Sequence, residues 1–312
     1  GWQGDDYESW QPIAPRYTEG WGRVKAEAAK HNVRLGLWLA AMPPSLEDLC
    51  RNAEDGGFVS FKLDFAHLTR KHDIDALMDK VRAFVKAQNQ QVKVNWDLTE
   101  VDPRYGFYFA REFGSVYLEN RKPVLPRSAV YRPGTVLRDL WQLSHYCNLL
   151  KFQGSVQNID MVDRVYSDAG AYSHQYCLAI TLMSSPLFFC EIQTYSEQAK
   201  GEIRPMLEAY KKVREAIFAS TVYPMGEAPD GKQWTGFCAV GDDQKNGCLT
   251  IFREPWNPET AQKMTVPFVG DETLVLTDLM TGDTWEATAT HGEITFSMDK
   301  AGDFRFLSYV VK

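Results

Sequence analysis

The chain has 312 residues, of which 44% are hydrophobic and 24% charged, a composition typical of a globular protein with roughly two domains of about 150 residues each. Its 34 basic and 41 acidic side chains give a net charge of −7, so we expect no nucleic-acid partner. No apolar stretch is long and unbroken enough to cross a bilayer, and we expect no membrane partner either.

Short apolar runs recur through the first two thirds of the chain, with amphipathic stretches between them. Such runs are typical of parallel strands buried on both faces, and the amphipathic stretches predict helices. The predicted strands are residues 34–40, 58–65, 91–98, 115–119, 152–159 and 187–192, and the predicted helices are residues 20–31, 45–53, 74–87, 104–113 and 135–149. This alternation predicts an α/β fold, a (β/α)₈ TIM barrel that is two strands short of closure. We expect the missing strands to precede Gly1, so that a preceding segment or a second copy in a homo-oligomer completes the barrel.

The pattern changes after a last predicted helix at residues 201–220. Seven short alternating strands with glycine-containing turns follow, at residues 233–240, 247–253, 263–268, 273–278, 284–287, 293–297 and 303–311. They predict an antiparallel β-sandwich. We therefore predict an N-terminally incomplete barrel domain over residues 1–222 and a β-sandwich domain over residues 223–312.

Five successive predicted strands end in a carboxylate. The five residues are Asp64, Asp97, Glu119, Asp160 and Glu191. Because the C-terminal ends of barrel strands meet at the face that carries the chemistry, these acids should converge there. Converging acids repel one another, so they are usually kept for a task, either glycoside hydrolysis or binding of Mg²⁺. Helix N-capping is the alternative for Asp64 and Asp160.

Residues around the first of these acids favour a sugar site. Lys62 and Asp64 are two apart on a strand, so both should point to one face, where the lysine would favour the charged carboxylate and donate to sugar hydroxyls. Trp2, Trp38 and Trp96 lie near proposed strand ends, where indole rings can stack on a pyranose. Packing against the barrel helices is the alternative for Trp38 and Trp96.

Three further residues are candidates to bind substrate. Asp97 and Asp160 compete with Glu119 for the acid/base role, and Arg121 could orient hydroxyls, although a solvated arginine is the commoner case in a loop. The histidines lack the spacing of metal ligands, and no glycine-rich phosphate loop is present. We therefore predict no metal and no cofactor.

Three short motifs fall at strand positions that one enzyme family shares. They are Gly1-Trp2-Gln3-Gly4-Asp5, Gly36-Leu37-Trp38 and Phe61-Lys62-Leu63-Asp64. In that order they resemble the loop after the second strand, the third strand and the fourth strand of glycoside hydrolase family 36, the melibiase family of the retaining α-galactosidase clan. The chain departs from the family at residues 95–100, where the family has a glycine-rich Cys-Ser stretch, and at Glu119-Asn120, where it has Ser-Asp.

The resemblance implies a divergent retaining α-glycosidase, α-galactosidase-like, that acts on an oligosaccharide or glycoconjugate. In this interpretation Asp64 is the nucleophile, Lys62 a hydroxyl donor and Glu119 the acid/base. A Mg²⁺-dependent barrel enzyme of enolase type and a non-catalytic carbohydrate-binding relative are the alternatives. The sequence leaves the cellular compartment open.

Overall fold

The structure is a computed structural model, and it describes residues 17–66, 68–97, 105–118, 131–190 and 192–312. The chain divides into two compact units, Gly1–Tyr117 and Leu118–Lys312. In the described ranges no helix is both long and apolar enough to span a membrane.

The first unit alternates helices with parallel strands. Its elements in chain order are α1 Gly22–Lys30, β1 Leu35–Ala40, α2 Leu46–Gly56, β2 Phe58–Asp64, α3 Lys71–Ala87, β3 Lys93–Trp96, α4 Tyr105–Phe109 and β4 Ser115–Tyr117. The strands pair in the order β1-β2-β3-β4, all parallel. Each apolar run of the sequence has thus become a strand beside the next one along the chain.

Local sequence signals explain the helices that cover these strands. Helix α2 starts at a capping box in which the Ser45 hydroxyl accepts from the Asp48 backbone N–H, and it is capped at its C-terminus by Gly57, whose φ of 65° suits glycine. Helix α3 buries a stripe at helical spacing that consists of Leu77, Met78, Val81 and Phe84. The Phe84 ring meets Phe61 of β2 edge to face, at 4.8 Å between centroids. This stripe packs the helix onto the sheet.

The second unit begins with helices and a parallel strand pair. Its elements are α5 Pro133–Ser144, β5 Phe152–Val156, α6 His174–Ala179, β6 Ser185–Phe188 and α7 Glu197–Phe218. Strands β5 and β6 are parallel. Helix α6 is an element that the sequence pattern did not predict.

An antiparallel region completes the second unit. Its strands are β7 Thr221–Gly226, β8 Trp234–Val240, β9 Asn246–Arg253, β10 Ala261–Thr265, β11 Thr273–Asp278, β12 Thr284–Thr288, β13 Glu293–Ser297 and β14 Asp303–Val311. One sheet has the order β12-β11-β14-β9-β8-β7, and β10 pairs with β13 in a second sheet. One apolar cluster joins side chains from both sheets, among them Met264, Leu274, Ile294 and Leu307.

The mixed α/β fold, with parallel strands followed by an antiparallel part, confirms the coarse prediction. The TIM barrel is not confirmed, because the described residues hold four parallel strands in the first unit and two in the second, and no closed eight-stranded ring. The domain boundary between residues 222 and 223 stays a prediction.

Candidate functional site

Polar side chains line one face of the parallel strands in the first unit. Lys62 and Asp64 of β2 are both partly exposed, whereas Phe61 and Leu63, which alternate with them, are buried. In the strand register Lys62 lies between Trp38 of β1 and Asn95 of β3. Because side chains in register point to the same face, these residues are neighbours across the sheet.

The carboxylate of Asp64 is held by two donors at the C-terminal end of β2. The Trp38 indole Nε1 donates to Oδ2 at 2.8 Å, and the Phe65 backbone N–H donates to Oδ1 at 2.7 Å. One donor on each oxygen fixes the plane of the carboxylate. Trp38 therefore donates a hydrogen bond to Asp64. The sequence had predicted only that its ring could stack on a sugar.

The backbone turns sharply just after this carboxylate. Phe65 has a φ of 52°, a left-handed conformation that costs of order 1–3 kcal/mol for a residue with a Cβ. Its ring meets Trp38 edge to face, with centroids 5.4 Å apart, and the residue is 57% exposed. The Phe65 ring thus forms an aromatic wall beside the carboxylate that the Phe65 N–H contacts. Nothing in the sequence pattern pointed to Phe65.

Lys62 forms its ion pair with Asp97. Nζ lies 2.7 Å from Asp97 Oδ2, and the side chains of Lys62 and Asp97 are 23% and 4% exposed. The same Nζ lies 3.8 Å from the centre of the Tyr117 ring, on β4. The sequence had placed the lysine charge beside Asp64, whereas the ion pair joins Lys62 to Asp97, the residue that follows β3. Tyr117 was missed, although it ends β4 in the same way that Asp64 ends β2.

Strand β3 turns Asn95 and Trp96 to opposite faces of the sheet. Asn95 is buried and its Nδ2 donates to Ser115 Oγ at 3.1 Å, which continues the polar row across β3 and β4. Trp96 is fully buried, its Nε1 donates to the Phe113 carbonyl at 3.1 Å, and its ring packs against Phe109. This is the packing role that the sequence left open as the alternative for Trp96.

A lysine of α3 holds the loop that follows β1. Lys80 Nζ donates to the carbonyls of Ala41, Met42 and Pro44, at 2.9, 2.8 and 2.8 Å. Burial lowers the pKa of this amine to about 8. The Ala41 backbone N–H in turn donates to the Asp64 carbonyl at 2.6 Å. Lys80 is therefore a positioning residue for the segment next to the carboxylate, which the sequence analysis did not identify.

Asp160 belongs to the second unit. It lies in a 3₁₀ turn, Ile159–Met161, whose N-cap is Asn158, so Asp160 is not itself the cap. Its side chain is 50% exposed, and its Oδ2 lies 3.6 Å from Nε2 of the nearly buried His174. The histidine Nδ1 lies 3.8 Å from Glu202.

Three predicted site residues, Trp2, Glu119 and Arg121, lie outside the described residues. Over the described ranges no group of three or more potential metal ligands comes together.

No family model and no curated protein sequence matches the chain, but solved structures do. The α-galactosidase from Lactobacillus brevis matches with a TM-score of 0.69 at 12% identity, over 100% of this chain and 50% of that one. The GH36 α-galactosidase from Geobacillus stearothermophilus matches with a TM-score of 0.70 at 10% identity, over 100% and 50%. A maltogenic α-amylase from Thermotoga neapolitana matches with a TM-score of 0.55 at 11% identity, over 86% and 65%.

These likenesses place the chain in a fold that glycoside hydrolases use. The resemblance to family 36 that the motifs indicated is confirmed at the level of the fold, at an identity that marks a divergent chain. The chain spans about half the length of the two α-galactosidases that it matches.

Proposed function

We propose that this chain is a retaining α-glycosidase of α-galactosidase type, which hydrolyses terminal α-linked sugars with Asp64 as its nucleophile. The observation that carries the proposal is the Asp64 carboxylate, which ends a parallel strand and is held by Trp38 and by the Phe65 N–H. Carboxylates at this end of parallel strands are where barrel enzymes place their chemistry. The fold shared with glycoside hydrolases supports the same assignment.

In the proposed reaction Asp64 attacks the anomeric carbon and forms a glycosyl ester while the glycosidic C–O bond breaks. A second carboxylic acid gives its proton to the departing oxygen. The resulting carboxylate then takes a proton from water, whose oxygen attacks the anomeric carbon and releases Asp64. Two displacements at one carbon return the starting α configuration.

The neighbours of Asp64 suit the binding of a sugar. Lys62, on the same strand as Asp64, offers a cationic donor and stays partly exposed, and its partner Asp97, just after the next strand, offers a carboxylate acceptor. Trp38 and Phe65 form an aromatic corner next to the carboxylate. Flat apolar faces beside paired polar groups match a pyranose, which has C–H bonds on its faces and hydroxyls at its rim.

We propose Glu119 as the acid/base, the residue that the strand-end carboxylates predict. Its competitors are engaged in other contacts, since Asp97 pairs with Lys62 and Asp160 lies beside His174. A retaining pair needs its carboxyl groups about 5–5.5 Å apart, whereas an inverting pair needs about 6.5–9.5 Å. The distance between Asp64 and Glu119 in a crystal structure tests this assignment directly.

We infer α-galactosides as the first substrate class to examine. A variant of the Geobacillus enzyme is known in complex with raffinose, and another with 1-deoxygalactonojirimycin. Because an α-amylase shares the fold, α-glucosides are the class to compare.

The decisive experiment replaces Asp64 with Asn and follows aryl α-galactosides and α-glucosides, with and without EDTA. We expect Asp64→Asn to lose at least about 100-fold in rate, because a neutral amide cannot form the ester intermediate. Asp55→Asn, a substitution of an exposed aspartate on α2, is the matched control and should keep full activity. The wild-type enzyme should release the α anomer first, as observed by NMR.

Other results would contradict the proposal in distinguishable ways. If Asp64→Asn keeps more than a few per cent of the wild-type activity, Asp64 is not the nucleophile. If the wild type releases the β anomer first, the enzyme inverts the configuration. Turnover that EDTA abolishes favours the metal-dependent alternative. Sugar binding without turnover favours a non-catalytic relative.

A further inference from the structure

A cleft of about 280 Å³ lies in the antiparallel region of the second unit. Its lining includes Asp278, Trp285 and Arg305, together with the hydroxyl of Thr281 and the apolar side chains of Phe296 and Leu307. Phe296 and Leu307 are buried members of the cluster that joins the two sheets. The cleft is therefore the place where the apolar interior of the two layers gives way to polar groups and opens to solvent.

The aromatic residue of the cleft is a tryptophan on an edge strand. Trp285 lies on β12, in register with the fully buried Leu276 of β11, so both point to the inner face of the sheet. Unlike Leu276, Trp285 remains 40% exposed. A large indole on the inner face that is left open presents a flat apolar surface to the cleft.

The charged residues of the cleft are held in a fixed arrangement. Asp278 is almost fully buried, and its Oδ1 accepts from the backbone N–H groups of Met280 and Thr281, at 2.8 and 3.2 Å. Arg305 Nη1 lies 3.5 Å from Asp278 Oδ2, and the arginine side chain is 43% exposed. Thr281 Oγ1 donates to Asp283 Oδ2 at 2.8 Å. A guanidinium fork and carboxylate oxygens are thus preorganised beside the indole.

We propose that this cleft is a carbohydrate-binding site for one neutral pyranose ring of an oligosaccharide, built from residues other than those around Asp64. The indole of Trp285 stacks on a sugar face, while Arg305 donates to a ring hydroxyl and Asp278 and Asp283 accept from others. The guanidinium of Arg305 and the carboxylates of Asp278 and Asp283 largely offset one another's charge, which suits a neutral ligand better than an ion. The cleft volume is close to the lower end of small-molecule sites, which suits a single ring.

The inference goes beyond the proposed function, because binding in this cleft needs no hydrolysis. A single ring on one indole should bind with a Kd on the order of 1 mM.

The test follows the indole N–H signals of the nine tryptophans in ¹⁵N-labelled Asp64→Asn protein, which removes turnover. Melibiose and maltose are titrated to about 50 mM, well above a millimolar Kd. Trp285→Phe assigns the cleft signal. We expect that signal to shift along a saturable curve with at least one sugar, and Arg305→Met to weaken the binding at least about fivefold. Trp256, which is 56% exposed and does not line the cleft, is the control.

Three results would overturn the proposal. The first is a Trp285 signal that does not move with either sugar, and the second is a Trp285 signal that moves only as much as the Trp256 signal. The third is a Trp285 signal that shifts on dilution without sugar, which would assign the cleft to self-association. The Trp38 signal reports separately on the site around Asp64. If the Trp285 signal moves, the Trp38 signal does not, and the wild type cleaves no aryl glycoside, the proposed function is rejected and the sugar site in the cleft is kept. If only the Trp38 signal moves and the wild type cleaves aryl glycosides, the sugar site in the cleft is rejected and the proposed function is kept.

Discussion

Replacing Trp38 with Phe removes one donor from the proposed nucleophile and keeps an aromatic ring in place. In the native site the indole N–H donates to Asp64 Oδ2 at 2.8 Å, while the ring itself contacts Phe65. Phenylalanine retains a ring against Phe65 but has no N–H. Asp64 is then oriented only by the Phe65 N–H on its other oxygen, so the carboxylate gains freedom to rotate.

The size of the effect follows from the strength of that hydrogen bond. A hydrogen bond to a charged group contributes about 1.5–3 kcal/mol, and partial exposure of Asp64 reduces this to about 1–2 kcal/mol. Since about 1.4 kcal/mol corresponds to a factor of ten in rate, kcat/KM should fall about 5- to 30-fold. We expect the loss mainly in kcat, because the donor orients the attacking group.

Steady-state kinetics on the best aryl α-glycoside measures this loss. Trp21→Phe is the matched control, since Trp21 packs edge-on against Phe58 at the opposite end of β2 from Asp64. That variant should lose stability and keep its kcat/KM. A Trp38→Phe enzyme within twofold of wild type would refute the orienting role of the indole.

Substitutions of Lys62, Lys80 and Asp168 test the framework of the two units by urea unfolding. Lys62→Met should destabilise by about 2–4 kcal/mol, because it removes a cation that pairs with the buried Asp97. The double variant Lys62→Met/Asp97→Leu should recover much of that loss, and a double variant as unstable as Lys62→Met would contradict a coupled pair. Lys80→Met should cost about 1–3 kcal/mol and speed hydrogen exchange at the Ala41 and Met42 amides, whereas unchanged exchange there would exclude its positioning role. Burial raises the pKa of the Asp168 carboxyl, so the folded protein binds its proton more tightly than the unfolded chain does, and the free energy of unfolding falls as pH rises above about 4. Asp168→Asn should remove that fall. Parallel pH profiles of unfolding for the wild type and the variant would contradict this contribution of Asp168.

The strands of the first unit could be predicted well because each is a short, nearly continuous apolar run. Strand β7 was missed because Pro224 and Gly226 resemble turn residues, yet β7 is the last strand of its sheet, where proline is tolerated. Helix α6 was missed because six residues are too few to show a helical period. Length and edge position, rather than composition, decided both errors.

The sequence predicts only those features of the site that depend on the spacing of residues within a single strand. The spacing of two placed Lys62 and Asp64 on one face, but which acid meets the lysine depends on the register between β2 and β3, and the spacing within one strand does not give that register. The same alternation predicts that Trp96 faces away from Asn95, but it does not show that both residues are buried. The donors on Asp64 come from a neighbouring strand and from a left-handed backbone, and no spacing rule contains them.

The left-handed backbone conformation of Phe65 creates a trade-off between the stability of the fold and the activity of the proposed site. Glycine adopts this conformation without strain, so a search for thermostable variants should be drawn to glycine at residue 65. Such a variant would keep the backbone N–H that contacts Asp64 and lose the ring that packs on Trp38. Enrichment of a bulky residue here under selection for turnover, and of glycine under selection for heat resistance alone, would mark position 65 as a point where evolution has retained strain for the sake of the site.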